Sequence, residues 1–87
     1  MDLKDTIEMM NSDDYKERFK AEYYQTKIRY EKLKRLNTRI RAQEITDQYT
    51  VLTKHDCPGC LLRDQQYAMR EYLHILEVRA EIEKIEL

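Results

Sequence analysis

One proline and one glycine occur in this 87-residue chain, and they are neighbours, Pro58 and Gly59. Sheets built from short strands draw on glycine, asparagine and proline for their turns, so a chain this poor in turn residues is ill suited to them. With 38% of its residues charged, it suits long helices with wet outer faces. The expected class is all-α. At this length one domain is the most the chain can form, and it buries only about 60% of the surface its unfolded form exposes. Residues 1–87 are therefore expected to make a single helical-hairpin domain that gains stability from assembly.

Three helical segments follow from the pattern. Residues 1–11 read as a short helix started by Asp2 or Asp5, with Leu3, Ile7 and Met10 on one face. Asn11 and Ser12 interrupt it. Asp14 followed three residues later by Glu17 resembles a capping box, so residues 14–41 should form a second helix beginning around Tyr15. Phe19, Tyr23, Thr26, Tyr30, Leu33, Asn37 and Ile40 recur along it at steps of four and three, a heptad-like seam. Residues 42–60 read as a connector in which YTVLT favours extended structure. Residues 61–86 form the last helix, with Leu62, Met69, Leu73, Leu76 and Ala80 on one face and Ala68, Tyr72, Ile75 and Ile82 beside them. Two long helices joined by a short connector fold into an antiparallel hairpin, which leaves half of each apolar stripe wet. A homo-oligomer is the expected remedy.

Charge is distributed unevenly. Between Tyr15 and Arg41 stand ten Lys and Arg against three Glu, ten less three giving +7, while the whole chain is −1 and the remainder therefore −8. Such asymmetry points to an anionic partner. A nucleotide phosphate takes Lys or Arg and a base takes a flat aromatic face, and Tyr15, Lys16, Arg18, Phe19, Lys20, Tyr23, Tyr24, Lys27, Arg29 and Tyr30 offer both. The same residues have plainer uses. An aromatic stripe at 19, 23 and 30 serves equally as core, and a cationic face serves equally as solvated surface. Tyr15 differs because it lies at a helix start, where unpaired backbone N–H groups and the dipole favour an anion.

Other chemistries find little support. Cys57-Pro58-Gly59-Cys60 with His55 supplies at most three zinc ligands, and His74 is far along the last helix, so no metal is expected. The two-residue cysteine spacing lacks the βαβ setting of redox motifs, and reads as a turn that starts a helix. Neither a glycine-rich phosphate loop nor a Ser/His/Asp set is present, so no catalytic residue and no cofactor is expected and the protein is read as a non-enzyme. Met1 leads directly into DLKDTIEMM, and no apolar run is long, which signals neither export nor membrane insertion. A cytosolic protein with reduced thiols is expected.

The segment DYKERFKAEYYQTKIRYEKLKR carries a resemblance, together with the pattern C-P-x-x-L-L-x-x-Q-x-x-A-M-x-x-Y-L-x-x-L-E-x-R-A-x-I-E from Cys57 to Glu83. It resembles a family of small proteins of phages and prophages of gut Firmicutes, related to a protein of a crAss-like phage. The chain departs from that pattern at residues 38–56 and at its second cysteine. By fold analogy it is also similar to the small helical-hairpin phage proteins that counter CBASS and Thoeris immunity. Those are oligomeric sponges that bind cyclic oligonucleotides or cyclic ADP-ribose isomers and withhold them from host effectors.

The resemblance implies a phage anti-defence sponge in the cytoplasm of the infected bacterial host, binding a cyclic nucleotide without cleaving it. In that reading Tyr15, with Phe19 or Tyr23, stacks on bases, and Lys16, Arg18, Lys20 and Lys27 hold phosphates. A site between subunits suits a ligand with near two-fold symmetry. Two rivals stand beside it. One is a structural or protein-binding helical module. The other is a weak nucleic-acid-binding protein, against which Glu17, Glu22 and Glu31 interrupt the basic face.

Overall fold

A computed structural model describes residues 1–46 and 57–87, which form three helices: α1 (Asp5–Met10), α2 (Tyr15–Thr46) and α3 (Gly59–Glu83). There is no strand among the described residues. The expected extended segment YTVLT and most of the expected connector lie outside them. Within the remainder, the connector expected over 42–60 is shorter at both ends. Helix α2 continues to Thr46, since nothing in AQEIT breaks it, and α3 already begins at Gly59.

Helix α2 starts as its sequence suggests, with one change of partner. The Asp14 carboxylate accepts the Lys16 backbone N–H at 3.0 Å, but the Asp14 N–H goes to Ser12 Oγ at 3.1 Å rather than to Glu17. Glu17 instead lies 3.7 Å from Lys20. At 1.5 Å per residue, the 32 residues of α2 extend roughly 48 Å. That single rod sets the length of the molecule, which measures 52 × 25 × 17 Å. Its radius of gyration, 16.2 Å, exceeds the ~12 Å of a compact domain of this size.

The heptad seam becomes the buried face. Phe19, Tyr23, Thr26, Asn37 and Ile40 are buried, with Tyr30 and Leu33 half-buried between them. Against this face α3 lays Leu73, Leu76 and Ala80, joined beyond its end by Ile85. Each large apolar side chain so buried contributes roughly 1.5–3 kcal/mol. Hydrogen bonds across the seam fix the register. Tyr15 pairs with Arg79, Glu22 with Tyr72, and Asn37 with Gln66, so the partner number falls as the α2 number rises. The two helices are antiparallel, as a hairpin requires.

Helix α3 ends at Glu83, three residues short of the expected Glu86, because Lys84 turns left-handed at φ 57°. The Ile85 N–H then reaches back to the Ala80 carbonyl at 2.8 Å, a six-to-one closure that delivers the Ile85 side chain into the core.

The short helix docks differently from its apolar pattern. Leu3, Ile7 and Met10 are exposed, by 37, 54 and 49%. Fully buried Thr6 is the contact instead. Its hydroxyl donates to the Leu3 carbonyl at 2.7 Å and accepts from Gln25 Nε2 at 2.9 Å, and the Gln25 amide also meets Met10 Sδ. Ala21, one turn before Gln25 on α2, is fully buried. A six-residue helix has too little apolar surface to dock by that alone, so hydrogen bonds orient it.

The flanking row of α3 stays wet in the single chain. Leu61, Ile75 and Ile82 are 56, 55 and 74% exposed, and with exposed Ala68 they repeat every seven residues along the side of α3 away from α2. Tyr72 and Val78 flank them, also exposed. No helix among the described residues is long and apolar enough to cross a membrane.

Candidate ligand-binding surface

The helix register brings a third residue to the two aromatics at the start of α2. Tyr15 and Phe19 stand one turn apart, with ring centroids separated by 6.2 Å. From α3, Arg79 places its guanidinium carbon 5.0 Å from the Phe19 ring centre and donates from Nη2 to the Tyr15 hydroxyl at 2.6 Å. Its Nε donates to Glu83 Oε2 at 3.2 Å. Tyr15 is 46% exposed, so its ring remains available to a planar ligand while Arg79 holds its orientation.

The other expected site residues scatter. Phe19 and Tyr23 are each 5% exposed and belong to the core cluster, so burial removes both from the stacking role. Tyr23 also spends its hydroxyl on Glu77 Oε2 at 2.8 Å. Burial and that carboxylate push its pKa up to about 12. Arg18 folds back to the Ser12 carbonyl at 2.8 Å, where it braces the loop before α2. Lys20 faces Glu17. The Lys16 side chain is exposed and has no ion-pair partner among the described residues.

Lys27 belongs to a different place. Twelve residues along α2, it sits roughly 18 Å from Tyr15, with its ammonium 5.8 Å from the Tyr23 ring centre. There, Met1, Tyr24, Lys27, Ile28, Glu31 and Arg35 line a groove of about 310 Å³. One small ligand on one chain cannot span Tyr15 and Lys27 together.

The anion site expected at the helix start is also already filled. Asp14 occupies the Lys16 N–H there, and Asp13 and Asp14 place two carboxylates at the dipole end. A nearby groove of about 590 Å³ at the other side of Tyr23 is lined by Glu77, Glu81 and Glu86, which repel a phosphate.

Sequence reasoning missed where on α2 the charge lies. Residues 13–26 carry three cations and four carboxylates, a net −1, whereas residues 27–41 carry seven cations and one carboxylate, a net +6. Across the hairpin, Arg63 and Arg70 face the positive half. Tyr30, Arg63, Gln66, Tyr67 and Arg70 line a niche of about 210 Å³, in which the Arg70 guanidinium carbon lies 5.1 Å from the Tyr67 ring centre. Arg63, Tyr67, Arg70 and Arg79, all on α3, are thus functional candidates that the pattern of α2 does not single out. The charge split along α2 was visible in the sequence; the pairing with α3 needed the register. Among the described residues no three or more His, Cys, Asp and Glu side chains gather as metal ligands would. Cys57 and Cys60 are both exposed.

No curated protein and no solved structure matches the chain. The model of the family described as Sequestin matches residues 13–82, which take in the start of α2, its whole length, and α3 almost to its end. A match over that much of the chain, covering both helices of the hairpin, settles membership: the chain belongs to the Sequestin family.

Proposed function

We propose that this protein is a sponge that binds a cyclic nucleotide immune signal, a cyclic oligonucleotide or a cyclic ADP-ribose isomer, and withholds it without cleaving it. The observation that carries the reading is membership of the Sequestin family, whose name denotes sequestration. The surface supports it chemically, since exposed tyrosine rings and cations share the hairpin and offer both stacking and charge. The protein acts as a phage anti-defence factor in the cytoplasm of the infected host, against signals of the CBASS or Thoeris type.

Assembly is part of the proposal. Tyr15, Arg79 and Lys16 make an open corner on one chain, too shallow to enclose a ligand. A second copy closes it. The exposed row Leu61, Ala68, Ile75 and Ile82, spaced every seven residues, is suited to packing against another helix of the same kind. Slow release, which stoichiometric sequestration requires, follows from such closure.

Calorimetry with cyclic di- and trinucleotides and cyclic ADP-ribose isomers tests the reading, followed by heating and recovery of the ligand. Tight binding with intact recovery is expected. No binding to any of them, or recovery of a cleaved product, refutes it. The exposed α3 row also favours a second reading, a protein-binding module. In that case Tyr15→Ala and Lys16→Ala leave every interaction unchanged, whereas the sponge loses ligand with its assembly intact.

A further inference from the structure

We propose a second anion-binding site at the niche between Tyr30 of α2 and Arg63, Tyr67 and Arg70 of α3, shaped for one phosphate-and-ring unit of a nucleotide. It rests on the reading of the protein as a nucleotide binder, and moves the phosphate-holding groups away from the Tyr15 corner.

Three observations carry it. The first is commitment. Arg79 at the Tyr15 corner is engaged at 3.2 Å by Glu83 and at 2.6 Å by the Tyr15 hydroxyl. In the niche the nearest carboxylates are looser, Glu44 at 3.9 Å from Arg63 and Glu71 at 3.7 Å from Arg70, and both arginines are more than half exposed. Glu44 is in addition shared with Arg41 at 3.4 Å. Weak, exposed pairs of this kind contribute little, so an incoming phosphate displaces them at small cost.

The second is spacing. Arg63, Tyr67 and Arg70 follow one another at four and three residues, which puts them on one face of α3 with the two guanidiniums roughly 10 Å apart along the axis. Tyr67 stands between them, 60% exposed, with the Arg70 guanidinium carbon over its ring at 5.1 Å, so an aromatic face and a cation are presented together. Flat guanidinium and phenol faces accept a base, while the guanidinium edges accept phosphate oxygens in pairs. Gln66 supports the floor by accepting the Asn37 amide at 2.8 Å.

The third is field. The niche lies beside residues 27–41, which carry +6, whereas the Tyr15 corner lies beside residues 13–26, which carry −1 once Asp13 and Asp14 ahead of the helix are included. A phosphate approaching the hairpin is therefore drawn to this end. The niche, at about 210 Å³, is smaller than the ~300 Å³ at which pockets for whole ligands begin. That size selects a single nucleotide unit, with the rest of a larger ligand left outside.

Calorimetry on the full chain decides it, with cyclic di-AMP and AMP as probes and circular dichroism confirming that variants keep their helices. Arg63→Ala with Arg70→Ala should weaken binding roughly tenfold or more, Tyr67→Ala should weaken it comparably, and Tyr67→Phe should retain it. Unchanged affinity for both probes in the double arginine variant overturns the niche and leaves the sponge reading standing. Binding of AMP that depends on these arginines, with no binding to any of the cyclic di- and trinucleotides and cyclic ADP-ribose isomers named above, supports the niche and sinks the sponge reading. Failure of the wild-type chain to bind either probe overturns the niche.

Discussion

Tyr23 donates a 2.8 Å hydrogen bond to Glu77 across the seam, joining a buried ring on α2 to a carboxylate on α3. Burial, reinforced by the carboxylate, makes the fold prefer the neutral phenol and raises its pKa from 10.0 to about 12. Its stabilisation is therefore whole below pH 10 and is lost as the pH climbs from 10 toward 12, on the order of 2 kcal/mol at the upper limit. Urea denaturation at pH 9 and pH 12 should show the loss, and Tyr23→Phe should remove that part of it which exceeds the common lysine background.

Asn37 is, with Thr26, one of two buried polar residues in the seam, giving its amide to the Leu62 carbonyl at 3.1 Å and to Gln66 at 2.8 Å. Asn37→Ala leaves two acceptors without that donor and should cost about 1–3 kcal/mol. Asn37→Leu should fold with helix content intact but broader amide NMR lines, since a buried bond that helps to fix the register is gone.

Lys84 holds a left-handed conformation that disfavours any residue with a Cβ. Lys84→Gly should stabilise the protein by about 0.5–1 kcal/mol, raising Tm by a few degrees. Lys84→Val should lower it, because a branched side chain fits that conformation worst. Equal Tm values for the three proteins would show that the left-handed turn is absent in solution.

Leu76 and Ile75 are sequence neighbours with opposite surroundings, 1% and 55% exposed in the single chain. Leu76→Ala should cost about 2–5 kcal/mol by opening a cavity in the hairpin core. Ile75→Asp with Ile82→Asp should leave the hairpin helical while dissociating the proposed assembly. Sedimentation equilibrium reads this as a fall in mass at unchanged circular dichroism, and an unchanged mass counts against this face as the interface.

The architecture was legible wherever a residue's environment follows from period alone. Phe19, Tyr23, Thr26, Asn37 and Ile40 repeat at helical spacing, and all are buried. Features that depend on backbone strain or on a neighbouring element were not legible. A lysine gives no sign that it will turn left-handed, so the end of α3 expected at Glu86 lies beyond the real one at Glu83. Ala21 and Thr6 are small or polar, and their burial follows from how α1 docks. The site suffered most from this. Arg79 reaches Tyr15 from 64 positions away, and no spacing rule connects them before the register is fixed. The charge split at residue 27 was readable, yet a count over all of α2 averaged it away.

The molecule's length, 52 Å against widths of 25 and 17 Å, has a hydrodynamic consequence. A lone hairpin of these proportions meets more friction than a sphere of 10.7 kDa and elutes ahead of it in gel filtration. Pairing side by side along α3 would double the mass while thickening the rod without lengthening it. The axial ratio then falls as the mass rises, and the two changes offset each other in elution volume. Friction would thus conceal much of the assembly, which sedimentation equilibrium, blind to shape, would disclose.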